Sequence, residues 1–219
     1  MGLDLTRAEP TGLRSQKKCL SQGAVMRLPP VILASQSPRR QQLLRTVLRR
    51  FEVDVSHADE IAPSWLTPGE TAQANAWLKA RAVAARHPKA LVIGSDTVVA
   101  LGRRSFGKPA DLAQAFGNLK TLSGKTHQVI TGVALIQWST RRCLLQAEST
   151  DVHFQKLSAE VIRTYLARIQ PLDKAGGYAI QEHAELILSE LRGSFTNVVG
   201  LPVERLRNML AEWQHIAPA

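Results

Sequence analysis

A short polar run between an apolar segment and a helical one holds the residues best suited to bind an anion. Val31–Ala34 is apolar and predicts a strand, and a helix is predicted to follow, with Ser37 as its N-cap and Pro38 at its first position. Arg39 and Arg40 then fall in the first helical turn, where the helix dipole disfavours cations. Two guanidinium groups beside free backbone N–H groups favour a phosphate-like anion. A solvated basic helix end is the alternative that this run alone leaves open.

A carboxylate inside an apolar run is the second candidate for chemistry. Asp96 lies within the mostly apolar segment Leu91–Val99. Burying a carboxylate is unfavourable unless it is paired, hydrogen-bonded or bound to a metal. Gly94 just before it indicates either the end of a strand or the close approach of another backbone segment. Asp96 is therefore either a functional residue or a structural residue that caps a turn.

Other chemically capable residues lie in predicted loops and on one helix. Lys108 follows a turn predicted over residues 102–107, and Lys79 lies on a helix predicted to start at Pro68. Either lysine could bind a phosphate or could simply be solvated. The loop at 173–181 contains paired glycines and ends in Gln181, whose amide can read a base edge with both donor and acceptor. Glu60 lies in a loop, where an acid is ordinarily a surface residue.

The predicted elements alternate between strands and helices, which favours an α/β domain with a mixed sheet. Thr67 with Glu70 predicts a capping box at the start of the helix that carries Lys79. Leu112 is expected on the inner side of a later helix. After the first helix, the helices are predicted at 68–86, at 111–122, from Ser158 to before Pro171, and from Pro202. After the first strand, the strands are predicted at 51–55, at 91–94 with 98–101 (a pair or one broken strand), at 128–138, at 144–154 and at 186–191.

Composition and charge limit the possible classes of protein. The chain of 219 residues is 44% hydrophobic, enough for the single domain that we predict over residues 29–215. The net charge is +10, but residues 1–50 hold 10 cations and 2 acids, so the high pI does not imply a nucleic-acid-binding surface. Residues 1–28 are basic and without periodicity, and they predict a disordered extension, with Met26 a possible true start.

The cysteine content and the lengths of the apolar runs indicate the cellular compartment that we expect. Cys19 and Cys143 are the only cysteines, without a CxxC motif, which fits a reducing cytoplasm. The early residues lack the apolar core of a signal peptide. No apolar run approaches the roughly 20 residues that span a bilayer, so no membrane partner is expected.

The motifs in their order along the chain resemble the Maf family of nucleoside triphosphate pyrophosphatases. The resemblance covers roughly residues 31–212, and it implies a two-lobed inosine-triphosphatase-like fold with a central mixed β-sheet and a cleft between the lobes. It rests on Leu33–Arg40, Gly94–Thr97, Lys108–Pro109, Ser123–Gly124 with His127, Asp173–Gly176 with Ile180–Gln181, and Asn197–Pro202.

The resemblance also implies roles for individual residues. Arg39, Thr97 and Gln181 are the residues expected in the subgroup that acts on dTTP, UTP and related pyrimidine nucleotides, and Asp96 matches the family's proton acceptor. The substrate-binding residues implied are Ser35, Arg40, Lys79 and Lys108, to which Ser37 is added from its place at the helix start.

The implied reaction is hydrolysis of a pyrimidine nucleoside triphosphate to the monophosphate and pyrophosphate. A divalent cation, Mg²⁺ or Mn²⁺, is the expected cofactor, held by Asp96 and Glu60. The resemblance further implies a possible homodimer and no specific nucleic-acid partner. Glu182 departs from the family pattern, which has glycine there, and this leaves the preferred base open.

Two alternative functions remain open at this stage. The first is the same chemistry on 7-methyl-GTP or another non-standard purine nucleotide. The second is a regulatory binding protein of septum formation, with the basic amino terminus as its contact surface. Retention of a carboxylate and several cations at the motif positions favours an enzyme, because a binding module needs no proton acceptor.

Overall fold

A computed structural model describes residues 28–215, which form six α-helices and seven strands. The helices are α1 Pro38–Arg45, α2 Pro68–Arg86, α3 Leu112–Leu122, α4 Ala159–Leu166, α5 Phe195–Val199 and α6 Val203–His215. The strands are β1 Val31–Leu33, β2 Glu52–Val53, β3 Leu91–Leu101, β4 Arg104–Phe106, β5 Thr126–Gln137, β6 Arg142–Phe154 and β7 Leu188–Arg192.

All seven strands belong to one sheet, and it is mixed, as the sequence predicts. The order is β2-β1-β3-β5-β6-β7, and β4 pairs with β3 outside this path. β1 runs parallel to β2 and β3, whereas the other pairings are antiparallel. The long strands β3, β5 and β6 therefore form the frame on which the shorter elements are placed.

Separate hydrophobic cores pack against the two ends of the long strands and define two lobes. In the first lobe, Leu91 and Ile93 of β3 pack with residues of α1 and α6, and Val92 packs with the alanine face of α2. In the second lobe, Val99 of β3 packs with residues of α3, α4 and the loops near Tyr178. The segment between these contacts, near the middle of β3, lies at the boundary of the two lobes.

Two glycines let α2 lie unusually close to the sheet. A Cβ atom added at Gly94 of β3 would lie 2.2 Å from the backbone oxygen of Ala76, and one at Gly132 of β5 would lie 2.3 Å from that of Ala72. Gly132 is the direct partner of Asp96 in the β3–β5 ladder. Of the two meanings that the sequence left open for Gly94, close backbone approach is correct, and it brings α2 against Asp96.

Helix starts follow the sequence closely because they depend on local hydrogen bonds. Ser37, Asp111 and Ser158 accept hydrogen bonds from backbone N–H groups as N-caps, and Thr67 forms the predicted capping box with Glu70.

Several predicted boundaries differ from the structure. The residues at 91–101 form one continuous strand, and the predicted turn at 102–107 is a hairpin that contains β4. The strand predicted at 51–55 is limited to residues 52–53, and the one predicted at 186–191 spans 188–192. Leu112 is exposed rather than on the inner side of α3, because it is the first residue of that helix and projects beyond the core.

No helix in the described part of the chain is both long and apolar enough to cross a bilayer. The extension predicted for residues 1–28 lies, apart from Leu28, outside the described residues. Leu28 itself is half-buried and packs against the first-lobe core.

Candidate active site

A gap in the sheet at the boundary of the lobes opens into a cleft. β1 pairs with β3 only as far as Ile93, and β4 pairs with it only from Val99. Within the described strands, residues 94–98 of β3 are therefore paired only with β5. The cleft beside this stretch has a volume of about 460 Å³, which is within the usual range for small-molecule sites.

A lysine between two carboxylates is the central feature of the cleft. Lys79 Nζ donates to Asp96 Oδ1 at 2.6 Å and to Glu60 Oε1 at 2.7 Å. The Asp96 and Lys79 side chains are only 8% and 14% exposed, so this ion pair is largely shielded from water. The arrangement joins the middle of β3, one face of α2 and the loop that precedes α2.

Asn75 of α2 joins the same three elements by hydrogen bonds. It is not among the site residues predicted from the sequence. Its Nδ2 donates to Asp96 Oδ2 at 3.2 Å and to the Ile61 carbonyl at 3.0 Å, and its Oδ1 accepts from the Ile61 N–H at 2.8 Å. Asn75 therefore orients the carboxylate of Asp96 and holds the loop residue next to Glu60. An amide one helical turn before Lys79, within an alanine-rich helix, is the sequence signal that could have identified it.

Arg40 is anchored on the opposite face of β3. Its Nε donates to the Gly200 carbonyl at 2.9 Å, its Nη2 to Thr97 Oγ1 at 3.1 Å, and its Nη1 to Ser35 Oγ at 3.5 Å. Thr97 in turn contacts Thr131 Oγ1 at 3.0 Å, and Thr131 donates to the Asn197 carbonyl. Because the Thr131 proton is used there, Thr97 must donate to Thr131, which leaves its oxygen free to accept from Arg40.

Other charged side chains line the mouth of the cleft. Arg39 on α1 pairs with Asp173 of the second lobe, with an Nη1–Oδ2 distance of 3.1 Å. The side chain of Lys174 is buried. Its Nζ lies 2.8 Å from Asp173 Oδ1 and 3.7 Å from Glu182 Oε1. Glu182 therefore has a positive charge nearby rather than being an unpaired acid.

Burial and neighbouring charges shift the pKa values of Glu60 and Arg40 in the cleft. Burial by itself raises the pKa of Glu60, but the hydrogen bond and charge of Lys79, with the charges of Lys108 and Arg40, bring that pKa below its usual value. Burial lowers the pKa of Arg40, and the negative charges of Asp96 and Glu60 partly oppose this. An arginine remains protonated even so, and Glu60 is ionised at neutral pH.

The structure brings nearly all of the sequence-predicted site residues together. Ser35 lies outside the lining, buried, where it accepts hydrogen bonds from the Ser37 N–H and from Arg40. The predicted residues that line the cleft are Ser37, Arg39, Arg40, Glu60, Lys79, Asp96, Thr97, Lys108 and Gln181.

Two carboxylates of the cleft lie close enough together to bind one metal ion. Asp96 and Glu60 both reach the same point in the cleft, where Lys79 Nζ lies. Within residues 28–215 no cluster of three or more His, Cys, Asp or Glu side chains is arranged to hold a metal ion. Mg²⁺ is often bound by one or two carboxylates while water and substrate phosphates complete its shell, so the two carboxylates fit such an ion.

Fold and cleft together define a class: a two-lobed α/β protein with a central mixed sheet and a cation-lined cleft at the lobe boundary. A HAM1 protein from Coxiella burnetii has the same fold, with a TM-score of 0.51 and 16% identity over 84% of this chain and all of that one. A family profile described as Maf-like protein matches residues 30–213, and the chain belongs to the Maf family.

Curated relatives match over almost their whole length. A protein of Pelotomaculum thermopropionicum is 44% identical over 183 residues, which covers 84% of this chain and 96% of the relative. A protein of Symbiobacterium thermophilum is 45% identical over 183 residues, which covers 84% of this chain and 93% of the relative. Both relatives are named dTTP/UTP pyrophosphatase.

Proposed function

We propose that this protein hydrolyses dTTP and UTP to the nucleoside monophosphate and pyrophosphate. The observation that carries the proposal is the position of Asp96, a shielded carboxylate held by Lys79 and Asn75 at the floor of a cleft lined with cations. The names of relatives at 44% and 45% identity support the same substrates.

The proposed reaction adds water to the α-phosphorus and breaks its bond to the oxygen that bridges the α- and β-phosphates. Asp96 accepts a proton from the attacking water, for which its carboxylate retains free lone pairs beside the contacts with Lys79 and Asn75. Pyrophosphate leaves with the bridging oxygen. Reactions of this kind depend mainly on positioning and on neutralising the phosphate charge.

Cations on three sides of the cleft neutralise the triphosphate. Arg40 is held in place by its contacts with Thr97 and the Gly200 carbonyl, so it meets an anion without rearranging. Lys108 and Lys79 add charge from the second lobe and from α2. Ser37 and the first N–H groups of α1 supply neutral donors at the positive end of that helix.

A divalent cation is part of the proposal, with Asp96 and Glu60 as its protein ligands. When bound, such an ion supplies charge stabilisation to the phosphates and lowers the pKa of a bound water. Asn75 holds Asp96 directly and Glu60 through the adjacent Ile61, so both carboxylates face one point of the cleft, as binding of a small hard cation requires.

The nucleobase of the substrate is proposed to lie toward Arg39, Thr97 and Gln181. These are the three positions at which the sequence resembles the pyrimidine subgroup. Arg39 and Gln181 are at the mouth of the cleft and accessible to a ligand, whereas Thr97 acts through Arg40. Because Glu182 is paired with Lys174, its charge is balanced beside the Gln181 position.

The test is a nucleotide panel with purified protein. Pyrophosphate release is measured for dTTP, UTP, CTP, GTP, 7-methyl-GTP and ITP with Mg²⁺, with Mn²⁺ and with EDTA. We expect kcat/KM for dTTP and UTP to exceed that for the purine nucleotides at least tenfold, and EDTA to abolish release. Faster release from 7-methyl-GTP or ITP than from UTP would contradict the proposed substrates, and release of orthophosphate would contradict the proposed bond.

A further inference from the structure

The Lys79 ammonium lies between the two carboxylates that would hold the proposed divalent cation. Its Nζ is within 2.7 Å of one oxygen of Asp96 and one oxygen of Glu60. A metal ion held by the same oxygens would meet the ammonium at contact distance, where two positive charges repel strongly in a shielded site. Lys79 and the metal therefore exclude each other at this point.

Lys79 has no comparable anionic partner to move to in the nucleotide-free cleft, within the described residues. The other basic groups that line it with Lys79 are Arg39, Arg40, Lys108 and Lys174. Asp173, the other acid in the lining, is already paired with Arg39 and Lys174. A displaced Lys79, which is only 14% exposed, would lose its ion pairs without full hydration, and this is unfavourable.

A triphosphate changes this balance because its oxygens accept the displaced ammonium. We propose that Lys79 holds the cation position between Asp96 and Glu60 in the free protein, so that the divalent metal binds only together with the nucleotide. This inference rests on the proposed function, from which it takes the triphosphate and the metal. The coupling is reciprocal: the metal strengthens nucleotide binding by the same factor by which the nucleotide strengthens metal binding.

The first test measures Mn²⁺ binding without any nucleotide, by loss of the electron paramagnetic resonance signal of free Mn²⁺. The proteins are wild type, Lys79→Met, the control Lys120→Met, which removes an exposed lysine of α3, and the double variant Lys79→Met with Asp96→Asn. We expect Lys79→Met to bind Mn²⁺ at least tenfold more tightly than wild type or Lys120→Met, and the double variant to lose that gain. Equal affinity in wild type and Lys79→Met overturns the proposal.

The second test uses only the wild-type protein, so it does not depend on the folding of a variant. Thermal unfolding is followed with Mn²⁺ alone, with α,β-methylene-UTP alone and with both. We expect Mn²⁺ alone to leave Tm within 1 °C, and the pair to raise Tm beyond the analogue alone. A rise with Mn²⁺ alone as large as with the pair overturns the proposal. Both tests read metal binding rather than turnover, so a failure of the proposed hydrolysis in the nucleotide panel is recognised separately.

Discussion

Asp96 and Thr97 are neighbours on β3 whose side chains lie on opposite faces of the sheet, yet both line one cleft. Asp96 contacts Lys79 and Asn75 of α2, and Thr97 contacts Arg40 of α1. Alternation of side chains along a strand requires this separation. Both faces reach the cleft because the sheet has a gap beside residues 94–98. One strand therefore carries the proposed general base on one side and, on the other, a residue that anchors Arg40, the proposed phosphate ligand.

Replacing Asp96, the proposed general base, should greatly slow turnover without unfolding the protein. In Asp96→Asn the side chain keeps its size and can still contact Asn75, but it no longer accepts the proton of the attacking water. We expect kcat for UTP to fall about 100-fold to 10,000-fold, with Tm close to that of wild type. The matched control is Asp151→Asn, a half-buried carboxylate of β6 outside the cleft lining, which should retain full activity. An Asp96→Asn protein with a kcat within tenfold of wild type would disprove the assignment.

Asn75 is expected to act as a positioning residue rather than as a structural one. Asn75→Ala removes the contacts to Asp96 and to both backbone groups of Ile61, so the two carboxylates lose their common support. Small misplacements at a reacting centre lower rates by about 100-fold, and we expect a loss of that order in kcat with a smaller change in KM.

The control for Asn75 is Asn118→Ala, which truncates a buried amide on α3. Steady-state kinetics and thermal unfolding are measured for both. If the two variants lose stability alike and neither loses kcat, Asn75 is a structural residue and the prediction is wrong.

Thr97 is expected to act through Arg40. Thr97→Val preserves the shape of the side chain but removes both the acceptor for Arg40 Nη2 and the donor to Thr131. Loss of a hydrogen bond to a charged group costs about 1.5–3 kcal/mol, so we expect KM for UTP to rise roughly tenfold or more. Thr97→Ser retains the hydroxyl and should stay within about threefold of wild type. Equal KM values in the valine and serine variants would exclude a role for the hydroxyl.

The buried imidazole of His127 should make the fold sensitive to acid. Its Nε2 lies 2.7 Å from the Tyr178 hydroxyl, and its ring packs edge-on against Phe154 and Tyr178. Burial lowers the pKa of His127 from 6.5 to about 4. Between pH 6.5 and pH 4 this imidazole is therefore protonated in the unfolded chain but neutral in the folded protein. Its contribution to the free energy of unfolding is complete above pH 6.5 and is lost as the pH falls toward 4.

This titration should contribute about 3 kcal/mol to the difference in free energy of unfolding between pH 7 and pH 4. His127→Gln retains a nitrogen that can donate to Tyr178 but does not titrate, so its stability should fall less over the same range. Denaturant unfolding at each pH measures the difference, with the exposed His57→Gln as control. Parallel stability curves for wild type and His127→Gln would contradict the expectation.

Local features of the structure could be predicted well from the sequence, and small or long-range features could not. The caps at Ser37 and Thr67 are contained within four residues, so the sequence is sufficient to predict them. β4 was missed because its three residues include exposed Arg104 and Ser105 beside a glycine turn, and only pairing with β3 makes them a strand. The interruption expected near Gly94 and Asp96 does not occur, because β5 pairs along this stretch.

The amino-acid sequence by itself determined the family, the α/β class and nine residues that line the cleft, since these depend on motifs that can be recognised without coordinates. Only the tertiary structure decided how those residues act on one another. The meeting of Lys79, Glu60 and Asp96, and the support from Asn75, depend on the distance between α2 and the sheet, which Gly94 and Gly132 set. Contacts between segments far apart in the chain arise from packing in three dimensions, and no local pattern encodes them.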